Sequence, residues 1–289
     1  MKLFTFAILI GLLIISLVPI VSAATSIDMV VNQQSTLDSD KEKTDVEQGI
    51  NTSELKPKEF LVQHKSELAR KGLDSVNSPD ELIDGKPFKV TSANKALVQA
   101  LLDGTSLSNI IYSAPHYWEV PVLLKNNLNP VASYTVDVLE DKWQVVEVGG
   151  YLSPVDSNFS SNPKDIANFL ENNGLKDANQ FAHVRIPSLH MDLLYIESNN
   201  QEYFIPLIHG RDELYGLKNR QLYTRDQLVS AIGPPLKEVM ANPNLLTGVP
   251  EANKKWSSGN IITFIGIGVV LVVGMIILYR KIQMNRDTT

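Results

Sequence analysis

One uncharged apolar run near the C-terminus constrains this chain more than any other feature. Residues 261–279 contain no charged side chain, and a helix of that length spans about 28 Å, close to the hydrocarbon thickness of a bilayer. Trp256 and Tyr279 flank the run, where aromatic side chains prefer the membrane interface. A buried core helix is the alternative, but few soluble helices are apolar on every face. The run therefore predicts one transmembrane helix, from Ile261 to Tyr279.

Charges and the N-terminal sequence together predict how this helix is oriented. Arg280 and Lys281 follow it directly, as is typical of the cytoplasmic side of a membrane helix. Residues 1–23 have a basic start, an apolar run and small residues at the end, which is the layout of a secretory signal peptide. An uncleaved anchor is the alternative. We therefore expect a single-pass protein of the cell membrane, with residues 24–260 outside and a short tail, 280–289, in the cytoplasm.

The charge and cysteine content exclude several classes of function. The chain has 26 Lys and Arg against 32 Asp and Glu, a net charge of −6. Nucleic-acid-binding proteins usually present a basic face, so no nucleic-acid partner is expected. The chain has no cysteine, which excludes disulfides, thiolate metal ligands and a cysteine nucleophile. The expected partners are the bilayer and a protein, and no cofactor or metal is expected.

Composition divides the exported part into three segments. Residues 24–56 are polar and lack a hydrophobic period, which predicts a flexible leader. Residues 57–232 show helical spacing first and a period of two from Trp118 onward, so they form the predicted folded domain. Residues 233–260 are rich in proline and polar side chains, which predicts a stalk that holds the domain away from the membrane.

The order of these periods predicts the fold class. Alternating residues at 131–149 and 191–209 each predict a β-hairpin. A helix between the hairpins is predicted to begin at Asn162-Pro163 and to end at Gly174. N-terminal helices followed by hairpin-connected strands predict an α+β domain with an antiparallel sheet and an intervening helix. The two hairpins have similar lengths, and they are either a weak internal duplication or two ordinary hairpins.

Histidines in the second half of the domain give a weak indication of chemistry. His190 and Asp192 are two positions apart in a predicted strand, so their side chains share a face. A histidine beside a carboxylate can act as a general base or bind a metal. His183 and His209 are nearby in sequence, but their spacing matches no standard ligand pattern. His190 and Asp192 are therefore weak catalytic candidates, with an ordinary strand surface as the alternative.

An aromatic group precedes the first predicted strand. Rigid amphipathic side chains of this kind contact peptides or glycans in many proteins, and in others they pack a helix against a sheet. Both possibilities stay open from sequence alone. The candidate binding residues are Tyr112, His116, Tyr117 and Trp118.

These patterns favour a membrane-anchored binding or interaction module outside the membrane, for example an accessory subunit of a membrane complex. No GxSxG, HExxH, Walker or GxGxxG motif occurs outside the membrane run, which favours a non-enzymatic role. The alternatives are a membrane-tethered hydrolase that uses His190 and Asp192, and an inhibitor of a secreted enzyme that acts through the aromatic group.

Overall fold

A computed structural model describes residues 26–241, which form a nine-stranded sheet, a two-stranded sheet and helices packed on both faces of the larger sheet. The strands are β1 (Leu82–Asp84), β2 (Phe88–Ser92), β3 (His116–Leu124), β4 (Pro130–Leu139), β5 (Lys142–Val148), β6 (Gln180–Ile186), β7 (Met191–Ser198), β8 (Gln201–Ile208), β9 (Glu213–Leu214), β10 (Leu217–Lys218) and β11 (Tyr223–Thr224). The helices are α1 (Ile27–Ser35), α2 (Lys43–Thr52), α3 (Pro57–Gln63), α4 (Lys65–Leu68), α5 (Lys95–Asp103), α6 (Ser108–Ser113), α7 (Pro154–Ser160), α8 (Pro163–Asn172) and α9 (Arg225–Ala241).

The large sheet consists of two antiparallel meanders joined by one parallel pair of strands. Its order is β11-β8-β7-β6-β2-β3-β4-β5, and β1 pairs with the C-terminal end of β3. Strands β2 and β6 run parallel, with Thr91 opposite Val184. The chain is therefore α+β with a mixed sheet, and the prediction of a fully antiparallel sheet is wrong. The parallel pair was missed because β2 has only five residues and its partner β6 lies far along the chain.

Both predicted hairpins are present, and each has a two-residue turn. Leu139 pairs with Lys142 across Glu140-Asp141, and Ser198 pairs with Gln201 across Asn199-Asn200. All four turn residues have positive φ angles between 50° and 61°. Two consecutive left-handed residues match the right-handed twist of the flanking strands, and Asn and Asp tolerate that conformation well. One hairpin lies on each side of the parallel junction.

The predicted flexible leader is instead part of the folded structure. Within it, α1 buries Ile27, Val30 and Val31, and α2 buries Val46. Ile27, Val30 and Val31 have helical spacing, so one face of α1 is apolar although the segment as a whole is polar. Average composition hid this narrow apolar stripe, which explains why a flexible segment was predicted from sequence.

The first residues of the predicted stalk, from 233 to 241, instead belong to a helix. Helix α9 continues to Ala241, through two consecutive prolines at 234 and 235. Leu228, Ile232 and Leu236 recur every four residues on the buried face of α9 and are almost completely inaccessible to solvent. Burial of this apolar face offsets the hydrogen bonds that proline removes from a helix.

Three apolar cores occupy the two faces of the sheet. On the first face, α5 and α9 pack on the β6-β7-β8 half, and the residues around Trp118 pack on the β3-β4-β5 half. On the second face, α1, α7 and α8 cover a core that includes Phe88, Phe181 and Ile205. The part of the second face that this core does not occupy carries the polar side chains described below.

Several predictions fall on residues outside the described range. They are the signal peptide, most of the stalk, the transmembrane helix and the tail, with the anchor residues Ile261, Tyr279, Arg280 and Lys281. Within residues 26–241, no helix has both the length and the apolar character needed to cross a membrane.

Candidate functional site

Buried polar side chains lie side by side on the second face of the sheet. Strand pairing places Glu119 opposite Thr135 and Arg185 opposite Asp192. Because side chains alternate along a strand, the neighbours of these residues enter the apolar core on the opposite face. None of the set exposes more than 6% of its surface. We call this set the polar cluster: Glu119, Ser133, Thr135, His183, Arg185 and Asp192.

Asp192 is the acceptor at the centre of the cluster. Arg185 donates to it from both Nε and Nη2, each at 2.9 Å. His183 Nε2 lies 2.7 Å from one carboxylate oxygen, and His209 Nε2 lies 3.0 Å from the other. Because an ionised carboxylate only accepts hydrogen bonds, both imidazoles carry a proton on Nε2. Both oxygens of Asp192 are therefore occupied by buried donors.

The charges of Asp192 and Arg185 stabilise each other. Burial alone raises the pKa of Asp192, but Arg185 and the two histidines outweigh burial and hold the pKa well below its ordinary value. Burial alone lowers the pKa of Arg185, but Asp192 and Glu119 outweigh burial and raise the pKa above its ordinary value. Both groups are therefore charged at neutral pH, although almost no solvent reaches them.

Glu119 extends the cluster toward β4. Arg185 Nη1 donates to Glu119 Oε2 at 3.2 Å, so one guanidinium bridges two carboxylates on different strands. The hydroxyl of Ser133 donates to Glu119 Oε1, and that of Thr135 lies 3.4 Å from Oε2. A buried ion pair stabilises a fold only when its remaining hydrogen-bonding groups are satisfied, and these hydroxyls provide that for Glu119.

Two tyrosine rings enclose the guanidinium of Arg185. Its central carbon lies 5.5 Å from the ring centre of Tyr117 and 5.0 Å from that of Tyr151. The ring of Tyr151 also stacks on His209, with 5.8 Å between the ring centres. Cation–π contacts of a desolvated guanidinium contribute more than exposed ones do. Tyr151 is nevertheless 47% exposed, so it covers the cluster and faces solvent at the same time.

A short segment, 149–153, carries Tyr151 over the cluster, and we call it the strap. Gly149 and Gly150 have φ angles of +129° and +67°, which other residues rarely adopt. A Cβ atom on Gly150 would overlap Ser133 Oγ, so the strap backbone lies directly on the cluster. Arg70 holds the strap in place, because its guanidinium donates to the carbonyl oxygens of Gly150 and Leu152.

A third carboxyl group lies at the edge of the cluster. Burial raises the pKa of Glu147, and the negative charge of Glu119 adds to this effect. A hydrogen bond from the Tyr151 hydroxyl acts in the opposite direction but is weaker. Glu147 therefore takes up a proton more readily than an exposed glutamate, in contrast to Asp192.

The hydrogen-bonding partners of Asp192 do not include the other catalytic candidate, His190. Asp192 is inside the cluster, but His190 ends a short 3-10 helix in a left-handed conformation, with φ +51°, rather than lying within a strand. Asp192 instead bonds to His183 and His209, on the neighbouring strand β6 and just beyond β8. The expectation that residues 190 and 192 share a strand face fails because the turn after Pro187 continues through position 190.

The four aromatic candidates are also separated. Trp118 is completely buried in the core on the first face, whereas Tyr117 faces Arg185 on the second face. His116 Nε2 lies 2.8 Å from Glu42 of the N-terminal segment. Tyr112 alone exposes more than half of its surface. Adjacent positions on one strand point to opposite faces, so these residues do not form one surface.

The residues that sequence reasoning missed are Glu119, Arg185, Glu147 and Tyr151. Glu119 and Arg185 each interrupt an apolar strand run, in WEVPV and AHVRI, where a charged side chain on a core strand signals a buried partner. The two strands are far apart in the chain, so their pairing is visible only in the folded sheet.

The arrangement favours rigid charge pairing over metal binding. Among residues 26–241, no group of three or more His, Cys, Asp or Glu side chains is placed to hold a metal ion.

Comparison of the chain with protein-family models, with curated proteins and with solved structures finds no match.

Proposed function

We propose that the described domain is the binding part of a membrane-anchored interaction module, and that it contacts a protein partner through exposed apolar side chains on β4, β5, the strap and α7. The supporting observation is the position of the exposed apolar side chains. Five of the large ones lie between positions 138 and 155 of the chain, on β4, β5, the strap and α7. We call these residues the edge surface: Val138, Leu139, Val146, Tyr151 and Val155.

Concentrated apolar exposure favours an interaction role. Single exposed apolar residues are normal on a soluble domain, whereas several in one region often mark a site of protein contact. The polar cluster beneath the strap supports this use, because its ion pairs hold β3, β4, β6 and β7 together. A rigid support reduces the conformational entropy that the surface loses when a partner binds.

The partner would contact side chains rather than add a strand. An outer strand normally offers unpaired backbone groups to another chain. Here α2 covers part of that edge, because the backbone N–H of Val145 donates to Ser53 Oγ at 3.2 Å. The backbone of Gly49 also lies so close to Trp143 that a Cβ atom would overlap its carbonyl group. The edge surface therefore presents side chains, with the strand backbone partly blocked.

The hydrolase alternative finds partial geometric support. His209 is oriented by Asp192 through Nε2, as a general base often is by a carboxylate. However, Asp192 is saturated by Arg185 and two histidines, and the hydroxyl of Ser133 in the same cluster donates to Glu119. The geometry therefore favours a structural role for the cluster over a catalytic one.

Recovery of a partner from native membranes tests the proposal. We expect the full-length chain to co-purify with a discrete protein after mild cross-linking. Replacing Leu139 and Val155 together by Ser should lower that recovery about tenfold, because truncating central apolar contacts commonly weakens binding by that much. The control is Leu128→Ser, at an exposed leucine outside the edge surface. Equal recovery of the partner with the double variant and with Leu128→Ser, or repeated recovery of the chain without any partner, would contradict the proposal.

A further inference from the structure

An open cleft lies beside the turn of the β7–β8 hairpin, on different strands from those that carry the edge surface. Its volume is about 400 Å³, and the loop after helix α5 and the start of α9 contribute the rest of its lining. The residues that line it are polar, charged or glycine: Gly104, Ser106, Glu197, Asn200, Glu202 and Arg225.

Two carboxylates in this cleft face each other across the hairpin. Glu197 pairs with Glu202 in the register of β7 and β8, and residues directly opposite on antiparallel strands have Cβ atoms about 5 Å apart. The buried Tyr195 places its hydroxyl oxygen 3.2 Å from Glu197 Oε2 and 3.3 Å from Glu202 Oε1. A phenol has one proton to donate, so it serves one of the two carboxylates at a time. Like charges at opposite positions destabilise a sheet, which favours binding of a compensating cation.

Arg225 compensates the charge of Glu202 but not that of Glu197. Arg225 Nη1 donates to Glu202 Oε2 at 2.6 Å, and the backbone N–H of Leu107 donates to Oε1 at 2.9 Å. Arg225 Nη2 instead donates to backbone carbonyl oxygens at the C-terminal end of α5, which carries a partial negative charge. Within the described part of the chain, the hydroxyl of Tyr195 is the one hydrogen-bond donor that reaches the side chain of Glu197.

Free hydrogen-bond acceptors line the same cleft. The side chains of Ser106 and Asn200 are exposed, and neither hydrogen-bonds to another residue of the described range. Each supplies an oxygen that can accept a hydrogen bond. Burial raises the pKa of the exposed Tyr112 in α6, and the negative charge of Glu197 adds to this rise, so the Tyr112 hydroxyl lies within electrostatic reach of Glu197. The cleft therefore combines an uncompensated carboxylate with free acceptors.

We propose that this cleft binds an organic cation through a primary ammonium group. The ammonium pairs with Glu197 and donates its other hydrogens to Ser106 and to the side-chain oxygen of Asn200, because an ammonium has three donors and no acceptor. A metal ion is disfavoured, because no group of three or more His, Cys, Asp or Glu side chains within residues 26–241 is placed to hold one. A lysine side chain and a free alkylamine both carry the group that the cleft recognises.

Titration with n-butylammonium, which has the length of a lysine side chain, tests the site in the full-length ¹⁵N-labelled chain in detergent micelles. At constant ionic strength, we expect saturable shifts of the backbone amide signals of Ser106, Leu107 and Asn200. 1-Butanol has the same chain length and no charge, and it should cause no shift at the same concentrations. No shift with butylammonium, or equal shifts with butanol, would overturn the proposal.

A neutral variant assigns the binding to Glu197. We expect Glu197→Gln to raise the dissociation constant of butylammonium at least about tenfold, because it removes a charge-assisted hydrogen bond. It should not destabilise the chain, because it also removes the repulsion of Glu202. The matched control is Glu213→Gln, at an exposed glutamate beyond the other end of β8, which should leave the constant unchanged. Equal weakening by both variants would mean that overall charge attracts the cation, and would contradict a site at Glu197.

A third probe distinguishes the two sources of the ammonium group. N-acetyl-lysine amide carries the same side chain on a peptide backbone. Tighter binding than butylammonium would identify the ligand as a lysine of a peptide, and weaker binding would identify it as a free amine, and both results support the site. Failure of both probes to bind would overturn the site and would leave the edge surface untouched, because the two lie on different strands.

Discussion

At the scale of single residues, Arg185 holds the polar cluster together. Its guanidinium contacts Asp192 and Glu119 and lies between the rings of Tyr117 and Tyr151. A planar guanidinium can make all of these contacts at once, whereas an ammonium group cannot. The residue therefore connects strands β3, β6 and β7 with the strap that covers them.

Removing this guanidinium should destabilise the chain strongly. We expect Arg185→Met to lower the free energy of unfolding by about 3–5 kcal/mol, because two buried carboxylates would lose their compensating charge. Arg185→Lys should lower it by less, since the charge remains but the paired hydrogen bonds do not. Urea unfolding measures both values. If Arg185→Met lowers the free energy of unfolding by less than Arg185→Lys does, the central role of Arg185 in the cluster is contradicted.

Asp192 should make stability depend on pH in the acid range. Its folded pKa is lowered, so its contribution is fully present above the ordinary value of 3.8 and is lost as pH falls through the folded pKa. We expect Asp192→Asn to flatten the acid part of a plot of unfolding free energy against pH, and to be less stable than the natural chain at neutral pH. If Asp192→Asn leaves the acid part of that plot unchanged, other carboxylates set the pH dependence of stability and the prediction is wrong.

At the scale of elements, the strap depends on close backbone contact. Gly150 and Gly174 both have positive φ, but only at Gly150 would a Cβ atom meet the polar cluster, whereas nothing lies within 4 Å at Gly174. The two glycines therefore separate backbone strain from steric overlap.

This pair of glycines gives a matched test of the strap. We expect Gly150→Ala to lower the free energy of unfolding by about 1–3 kcal/mol more than Gly174→Ala, because overlap adds to the shared backbone strain. Denaturant titration of both variants provides the comparison. Equal losses would mean that the strap does not lie on Ser133 and Glu119.

The N-terminal helix α1 should prove essential to the fold. Val31 is fully buried and Met29 is 51% exposed on the same helix. We expect Val31→Asp to lower the free energy of unfolding by about 3 kcal/mol or more, because the charge has no buried partner. Met29→Asp should change it by about 0.5 kcal/mol or less. If both variants unfold like the natural chain, the segment is the flexible leader that its composition suggests.

Local signals account for the elements that sequence could predict. The hairpins within 131–149 and 191–209, and the Asn162 cap of α8, depend on neighbours in the chain, and the structure confirms them. The parallel β2–β6 pair and the burial of α1 depend on distant partners. The candidate site likewise combines residues that local sequence could indicate with residues that come from distant strands. Asp192 was identified and His183 and His209 were considered beside it, but Arg185 was missed, and the turn after Pro187 takes His190 out of the strand.

At the scale of the whole molecule, a sheet held by buried charges carries exposed apolar side chains. The polar cluster stiffens the centre of the sheet, and the edge surface lies on β4, β5, the strap and α7. The transmembrane anchor remains a prediction from residues 261–279. With a domain outside and a short tail, such a chain would act through a partner that it contacts outside or within the membrane.

Site-specific photo-cross-linking in native membranes tests the central claim most directly. A photoreactive phenylalanine analogue replaces Leu139 or Val155 on the edge surface, and Leu128 or Met29 elsewhere, all at exposed positions of the full-length chain. We predict one discrete protein adduct from Leu139 and Val155 and none from the two controls. Equal adducts from all four positions, or no adduct from Leu139 and Val155, would contradict it.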